Sequence, residues 1–247
     1  MANYLVTLRF VGTRYGGSQI QKNAPTIQGE FQKALKSVLG ELPDVKCCSR
    51  TDSGVHANRF CISFKTDAAI DVKKLPLALN DRLPVDIRAF SAKAVPEDFH
   101  ARYSAVSKKY IYKVYNSYIM DPFLEGLALR FPAGIDEKVL DSAAQAFVGT
   151  HDFKGFCSSK TDAESTVRTV YSFSVTRSGA LVTFAVSANG FLYNMVRIMV
   201  GTLLSVARGK LTRADIERIL ASGERENVCA TAAACGLYLD EISYGED

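Results

Sequence analysis

The sequence predicts an α+β protein built from two similar halves. Apolar residues alternate with polar ones in several short stretches, which predicts strands, and recur at helical spacing in others. These stretches follow one another twice in the order strand, helix, strand, strand. A chain of 247 residues has room for one large domain or two small ones, at about 150 residues per domain.

The first half, predicted as residues 1–103, opens with the strand Tyr4–Val11 and a polar, glycine-containing loop, Gly12–Pro25. Helical spacing from Ile27 to Leu39 predicts a helix that Gly40 ends. Further elements complete this half: a half-buried strand over 59–65, a short helix over 75–83 and a strand over 87–95.

The second half, predicted as residues 104–247, repeats the order without a residue-level repeat. Its predicted strands are Lys109–Asn116, Thr169–Arg177, Leu181–Ser187 and Leu237–Tyr244, and its predicted helices are Lys138–Val148, Phe191–Arg208 and 212–223. Ser178-Gly179-Ala180 joins two of these strands and is a hairpin signal, which favours antiparallel pairing.

Composition excludes several classes of protein. Apolar residues make up 47% and charged residues 23%, which is typical of a globular chain with its own core and excludes disorder or a disulfide-built miniprotein. The six cysteines form no Cys-x-x-Cys pair, and the chain opens directly into a strand, so we expect a cytoplasmic protein with free thiols. The longest apolar stretch, Met195–Ala207, is too short for a membrane span.

Charge is unevenly distributed along the chain. The 30 basic and 26 acidic residues nearly cancel, yet no acid lies between Asp98 and Asp121 or between Glu164 and Asp215. Together these two acid-free segments hold ten basic residues. A surface that faces a polyanion would exclude acids in this way, but so would buried strands and helices, and charge alone leaves both interpretations open.

Signals for cofactors and metals are absent. The loop Gly12–Ser18 contains glycines but no Gly-Lys-Ser/Thr, and no Gly-x-Gly-x-x-Gly follows a strand. No histidine pair or further ligand cluster accompanies His56 and Asp52. The sequence therefore predicts neither a cofactor nor a metal.

The densest polar cluster is Ser49-Arg50-Thr51-Asp52-Ser53-Gly54-Val55-His56-Ala57. It allows a structural turn in which Gly54 supplies a positive φ. It also contains the residue types of a Ser53–His56–Asp52 triad, although no Gly-x-Ser-x-Gly surrounds Ser53. In a third hypothesis Asp52 is a nucleophile, which a nearby guanidinium would keep ionised against the effect of burial.

This cluster resembles the signature of the tRNA pseudouridine synthase A family. Further blocks resemble that family in the same order along nearly the whole chain: Tyr15–Gln21, Thr26–Gln28, Leu79–Asn80, Leu83–Ile87, Phe99–Arg102, Lys108–Tyr112, His151–Phe153, Asn194–Arg197 and Gly236–Leu239. The sequence departs from the family pattern at Ser18, Ser49, Asn194 and Ala233. None of these departures removes an expected catalytic residue.

The resemblance implies a fold and a reaction. We expect ferredoxin- or RRM-like halves that form one continuous, mostly antiparallel sheet with helices on one side and a central basic cleft. Members isomerise uridine to pseudouridine at positions 38, 39 and 40 of the tRNA anticodon stem–loop, without cofactor or metal, as homodimers. By resemblance Asp52 is the catalytic nucleophile, Tyr110 stacks on the target base, and Arg197 pairs with the aspartate.

The nearby charged and imidazole side chains are candidates for RNA contact. They are Arg50, His56, Arg102, Lys108 and Lys109. Each also has a plainer interpretation, as a solvated surface charge or a turn histidine. Two other functions stay open from the sequence: a non-catalytic RNA-binding protein or tRNA chaperone on the same fold, and a hydrolase that uses Ser53 or a cysteine with His56.

Overall fold

The computed structural model describes residues 1–158, 163–226 and 229–245, and within them the predicted α+β class is confirmed. The chain divides into two compact units. The first comprises Met1–Val106 and the C-terminal segment from Tyr238, and the second comprises Ser107–Leu237.

The elements alternate along the chain. The strands are β1 (Ala2–Phe10), β2 (Val45–Cys47), β3 (His56–Thr66), β4 (Ile87–Val95), β5 (Ser107–Tyr115), β6 (Leu129–Arg130), β7 (Gly149–Asp152), β8 (Val167–Ser178), β9 (Leu181–Ala188) and β10 (Leu237–Ser243). The α-helices are α1 (Ile27–Leu39), α2 (Leu75–Asn80), α3 (Glu137–Ala144), α4 (Met195–Ala207) and α5 (Arg213–Ser222).

The first unit is a sheet around β1, which pairs antiparallel with β3 on one side and β4 on the other. The far side of β3 carries β2 in antiparallel pairing and β10 in parallel pairing. In β10, Tyr238 lies opposite His56. The sequence grouped β10 with the second half because of its place in the chain; in the structure it belongs with the first unit, through this long-range pairing.

Helix α1 shows how local signals set the elements of this unit. It begins where the Thr26 hydroxyl accepts a hydrogen bond from the backbone N–H of Gly29, and it ends where Gly40 adopts the left-handed conformation, with φ 77°. Its apolar face, which includes Phe31, is fully buried, and the Phe31 ring contacts Phe64 of β3 at 6.4 Å between centroids. The predicted helix is confirmed.

The second unit contains the antiparallel order β5-β9-β8-β7, with β6 parallel to β5. The predicted hairpin between β8 and β9 is confirmed, and Gly179 turns the chain with φ 58°. Alternation along β5 buries Tyr110, Tyr112 and Val114 and leaves the residues between them half-exposed. The continuity of one sheet across both halves and the central cleft stay predictions.

Helix α4 begins at Met195 and not at Phe191 as predicted. Asn194 has φ 60°, and it is the one non-glycine residue with positive φ in the described part of the chain. A left-handed residue cannot continue a right-handed helix, so the apolar periodicity from Phe191 extends beyond the helix itself.

The segment after residue 229 packs directly on the backbone of α4. A Cβ added at Gly201 would lie 1.9 Å from the carbonyl oxygen of Ala230. The backbone N–H of Ala232 donates to the carbonyl of Arg197 at 3.0 Å. Glycine at position 201 therefore allows a contact that any side chain would prevent.

We predict that Gly201→Ala destabilises the protein by about 2–3 kcal/mol, because the backbone at Ala230 has to move away from α4. Gly134→Ala is the matched control, since its added Cβ would meet nothing within 4 Å. Urea denaturation of both variants measures the difference. Equal stability of the two variants would contradict the close contact.

Candidate active site

Two loops of the first unit are joined by hydrogen bonds at Ser18. The backbone N–H of Ser18 donates to the carbonyl of Thr51 at 3.1 Å, and the N–H of Thr51 donates to the Ser18 hydroxyl at 2.8 Å. The Ser18 hydroxyl donates in turn to the carbonyl of Ser49 at 3.4 Å. Because Ser18 is fully buried, these bonds form away from water and fix the backbone on the N-terminal side of Asp52.

Two glycines permit this close approach. A Cβ on Gly12 would lie 1.8 Å from the carbonyl oxygen of Val55, and one on Gly17 would lie 2.4 Å from that of Thr51. Gly17 also has φ 108°, a conformation that other residues rarely adopt. The backbone of the 12–18 loop thus packs directly against the Asp52 segment.

Tyr15 connects the same loop to the start of β4. Its hydroxyl donates to Asp86 at 2.6 Å, and the Arg14 guanidinium donates to the other carboxylate oxygen at 2.8 Å. Burial, followed by the bond to Asp86, raises the pKa of Tyr15 to about 12. Burial alone would raise the pKa of Asp86, but the bonds from Tyr15 and Arg14 outweigh it, so that pKa is lowered. The carboxylate is therefore ionised and anchors the loop.

Asp52 lies in the turn that the sequence predicted. Gly54 has φ 78°, and the N–H of Val55 donates to the Asp52 carbonyl at 3.2 Å. The side chain of Asp52 is half-buried. The turn hypothesis and the nucleophile hypothesis are compatible, because the turn holds the backbone while the carboxylate stays accessible.

His56 does not lie on the surface, and its burial argues against the predicted RNA contact. Its side chain is fully buried, its Nδ1 accepts a hydrogen bond from the N–H of Gly12 at 2.9 Å, and its ring stacks on Tyr238 at 4.6 Å. Ser53 is exposed, and its hydroxyl donates to the carbonyl of Tyr15 at 3.2 Å. This geometry assigns His56 to the core and disfavours a Ser53–His56 hydrolase.

Two tyrosines of β5 have different surroundings. The Tyr112 hydroxyl donates to the carbonyl of Ala233 at 2.7 Å, its side chain is fully buried, and burial raises its pKa strongly. Tyr110 is 6% exposed, and its ring meets Phe191 edge-on at 5.1 Å. Tyr112 is thus the core residue of the pair, which leaves Tyr110 as the candidate for a pocket.

Arg197 projects from the first turn of α4. Its Nε donates to the carbonyl of Ala232 at 2.8 Å, and its Nη1 donates to Oδ1 of Asn194 at 2.9 Å. The side chain is only partly exposed. Both bonds anchor the guanidinium to groups of the second unit.

The remaining basic candidates lie at or near the surface. Arg50 and Arg102 are exposed, and the Arg102 guanidinium lies over the Tyr103 ring at 5.6 Å. Lys108 and Lys109 are half-exposed on β5. These four residues are accessible to a phosphate, in contrast to His56.

The acid-free segments differ in their surroundings. On β5 of the first segment, Lys109 and Lys113 alternate with buried residues on the accessible side of the strand. In the second segment most of α4 is buried, and Arg177 is engaged with Glu137 at 2.8 Å. The polyanion interpretation therefore fits the first segment, and burial accounts for much of the second.

The candidate residues are divided between the units. Arg50 and Asp52 lie in the first unit, as does Arg102, while Tyr110 and Arg197 lie in the second. Sequence reasoning treated Ser18 and Asn194 only as departures from a pattern, yet each bonds to a candidate segment. It also gave no role to Tyr15 or Asp86, although both lie in blocks that resemble the family.

The described residues contain neither a cluster of metal ligands nor a helix that could span a membrane. No group of three or more His, Cys, Asp or Glu side chains there is arranged to hold a metal ion. No helix there has the length and apolar character needed to cross a membrane.

Comparisons with known proteins agree with one another. The family model of tRNA pseudouridine synthase matches residues 7–104 and 143–245. Proteins named tRNA pseudouridine synthase A from Staphylococcus aureus strains bovine RF122 and MRSA252 are each 41% identical over 243 residues. The matches cover 98% of this chain and 91% and 92% of those proteins.

We predict that Ser18→Ala destabilises the protein by about 1–3 kcal/mol, because the buried N–H of Thr51 loses its acceptor. Ser53→Ala is the control, because Ser53 lies at the same contact between the two loops. It should lower the stability by less than about 0.5 kcal/mol, because Ser53 is exposed. Thermal unfolding of both variants measures the difference. An equally stable Ser18→Ala variant would show that the bridge does not hold the loops.

Proposed function

Because the chain belongs to the tRNA pseudouridine synthase family, we propose that it converts uridine to pseudouridine at positions 38, 39 and 40 of the tRNA anticodon stem–loop, with Asp52 as nucleophile. The chain is an isomerase that acts on tRNA. The observation that carries the proposal is 41% identity to tRNA pseudouridine synthase A over 98% of the chain. The choice of positions and the role of Asp52 rest on the resemblance of the residues around it.

The proposed chemistry begins at the Asp52 carboxylate. It forms a covalent bond with the target base or with its ribose, and the bond between N1 and C1′ breaks. The base then turns and bonds to C1′ through C5, and the bond to Asp52 breaks, which restores the carboxylate. C5 loses its proton and N1 gains one, so that the product is an isomer of the substrate. A nucleophile has to reach one atom of the substrate in the right direction. The hydrogen bonds at Ser18 and the turn at Gly54 serve this purpose, because they fix the backbone on both sides of Asp52.

Tyr110 is proposed to hold the target base. A uridine stacked in the stem–loop is out of reach of a carboxylate, so it has to leave the stack at a cost of a few kcal/mol. An aromatic face in the pocket offsets part of that cost. The support for Tyr110 over Tyr112 is that the side chain of Tyr112 is fully buried, whereas Tyr110 keeps an exposed fraction of 6%.

Arg197 is proposed to pair with Asp52, because a guanidinium forms strong, charge-assisted hydrogen bonds with a carboxylate. Arg197 suits this role because a buried or half-buried guanidinium in an apolar helix is costly unless it has polar partners. Its bonds to Asn194 and Ala232 satisfy two of its donors.

Contact with the RNA backbone is assigned to Arg50, Arg102, Lys108 and Lys109. Such contacts are electrostatic and independent of sequence, so they position the tRNA without selecting the uridine. Lys113 joins this set because it lies on the same side of β5 as Lys109.

We also propose that the enzyme works in the cytoplasm. None of the six cysteines, all of which lie in the described residues, forms a disulfide, as is usual in the reducing cytoplasm, where tRNA is modified. We further propose a homodimer that needs neither cofactor nor metal.

We predict that Asp52→Asn lowers the rate of pseudouridine formation by at least about 1,000-fold, because an amide cannot act as the nucleophile. Unmodified tRNA is incubated with each protein, and pseudouridine is mapped by carbodiimide labelling and primer extension. Substrates with cytidine at 38, 39 or 40 test each position in turn.

Asp44→Asn is the control for this experiment. It removes the same negative charge, from an exposed residue of the same unit. A fully active Asp52→Asn variant would refute the nucleophile. Binding of tRNA by a wild-type protein that forms no pseudouridine would favour a non-catalytic RNA-binding protein. Tyr110→Leu in the same assay tests the aromatic face.

We predict that Lys109→Ala reduces the slope of log affinity against log salt for tRNA by roughly one, because one phosphate contact is lost. Lys33→Ala is the control, since Lys33 is paired with Glu30 on α1. Filter binding at several salt concentrations gives both slopes. If Lys109→Ala leaves the slope of the wild type unchanged, Lys109 does not contact phosphate.

A further inference from the structure

We infer that Asn194 is a positioning residue that orients Arg197. This inference rests on the proposed function, since it gives Arg197 a task at the reacting base. It is carried by the backbone of Asn194 and by the two hydrogen bonds of its side chain.

The backbone of Asn194 is held in an unfavourable conformation. Its φ of 60° and ψ of 5° are left-handed, and no other non-glycine residue in the described ranges has a positive φ. Asparagine tolerates this region better than most residues, but glycine tolerates it better still. If the backbone alone mattered here, glycine would serve at least as well, so the side chain has a function of its own.

The side chain does not cap α4. Asn194 is the N-cap residue, yet within the described structure its side chain makes no capping bond to the helix backbone. Its Oδ1 instead accepts from Nη1 of Arg197 at 2.9 Å, and its Nδ2 donates to the hydroxyl of Ser158 at 2.8 Å. The amide is thus fixed on one side by Ser158 and presents its oxygen to the guanidinium on the other.

Arg197 has a second anchor at a different nitrogen atom. Its Nε donates to the carbonyl of Ala232, and the N–H of Ala232 donates back to the carbonyl of Arg197. Two bonds to different nitrogens of one planar group fix its plane and its direction. Removal of the Asn194 amide takes away one of these two bonds, so the orientation that they set together is lost.

The decisive variant is Asn194→Gly, because glycine accepts the left-handed backbone and removes only the amide. We expect kcat to fall by about 10- to 100-fold, the loss that a misplaced catalytic group produces, with KM for tRNA changed less than about threefold. The melting temperature should stay close to that of the wild type.

Asn189→Gly is the matched control. Asn189 is an exposed asparagine of the same unit, and its Oδ1 accepts from the N–H of Thr169 at 3.0 Å. The change to glycine also removes a side-chain hydrogen bond here, but we expect kcat and KM of this variant to match those of the wild type. A purely structural role for Asn194 would make the two variants behave alike.

A double-mutant cycle tests whether Asn194 acts through Arg197. If it does, Asn194→Gly adds no further loss of kcat to Arg197→Ala, so the two effects are not additive. Additive losses, or full activity of Asn194→Gly beside an inactive Arg197→Ala, would overturn the inference and leave the proposed function intact. Full activity of Arg197→Ala would overturn the role of Arg197 and the inference with it. The activity of Asp52→Asn is independent of these results, and it tests whether Asp52 is the nucleophile.

Discussion

The direct packing of the 12–18 loop against the Asp52 segment is the constraint on which the candidate site depends. Two backbones can approach this closely only where side chains are missing, as at Gly12 and Gly17. Ser18 then satisfies the polar groups that the contact buries, by bonding to both Ser49 and Thr51. A buried N–H or carbonyl without a partner would cost more than the contact gains, so the serine and the glycines act together.

A second backbone contact has the same character in the other unit. Gly201 lets the segment after residue 229 lie against α4, and that segment supplies the carbonyl of Ala232 to Arg197. In both units, therefore, a close backbone contact that glycine permits lies beside a candidate side chain. Such a contact gives that side chain a rigid support.

Charge has two different origins in the acid-free segments. On β5 the alternation of a strand leaves Lys109 and Lys113 half-exposed, on the side away from the buried residues. In the second segment acids are absent largely because the chain is buried, and Arg177 finds its acid in Glu137, outside the segment. A charge pattern in sequence thus becomes an argument about an RNA surface only once exposure is known.

Periodicity and capping residues determined much of the fold. Local rules predicted strand β1, helix α1 between Thr26 and Gly40 and the hairpin at Gly179, and all three are present. The block around Asp52 and the family were likewise identifiable from the sequence, because that block requires several residue types in one short run.

Tertiary structure alone decided where these residues stand. It buried His56 against Tyr238, separated the core role of Tyr112 from Tyr110, grouped β10 with the first unit and placed the start of α4 after Asn194. Each of these outcomes depends on a partner far away in the chain or on a backbone conformation that apolar spacing does not report. Local patterns record how a residue is placed on its own element; which groups it meets is set by the packing of elements against one another.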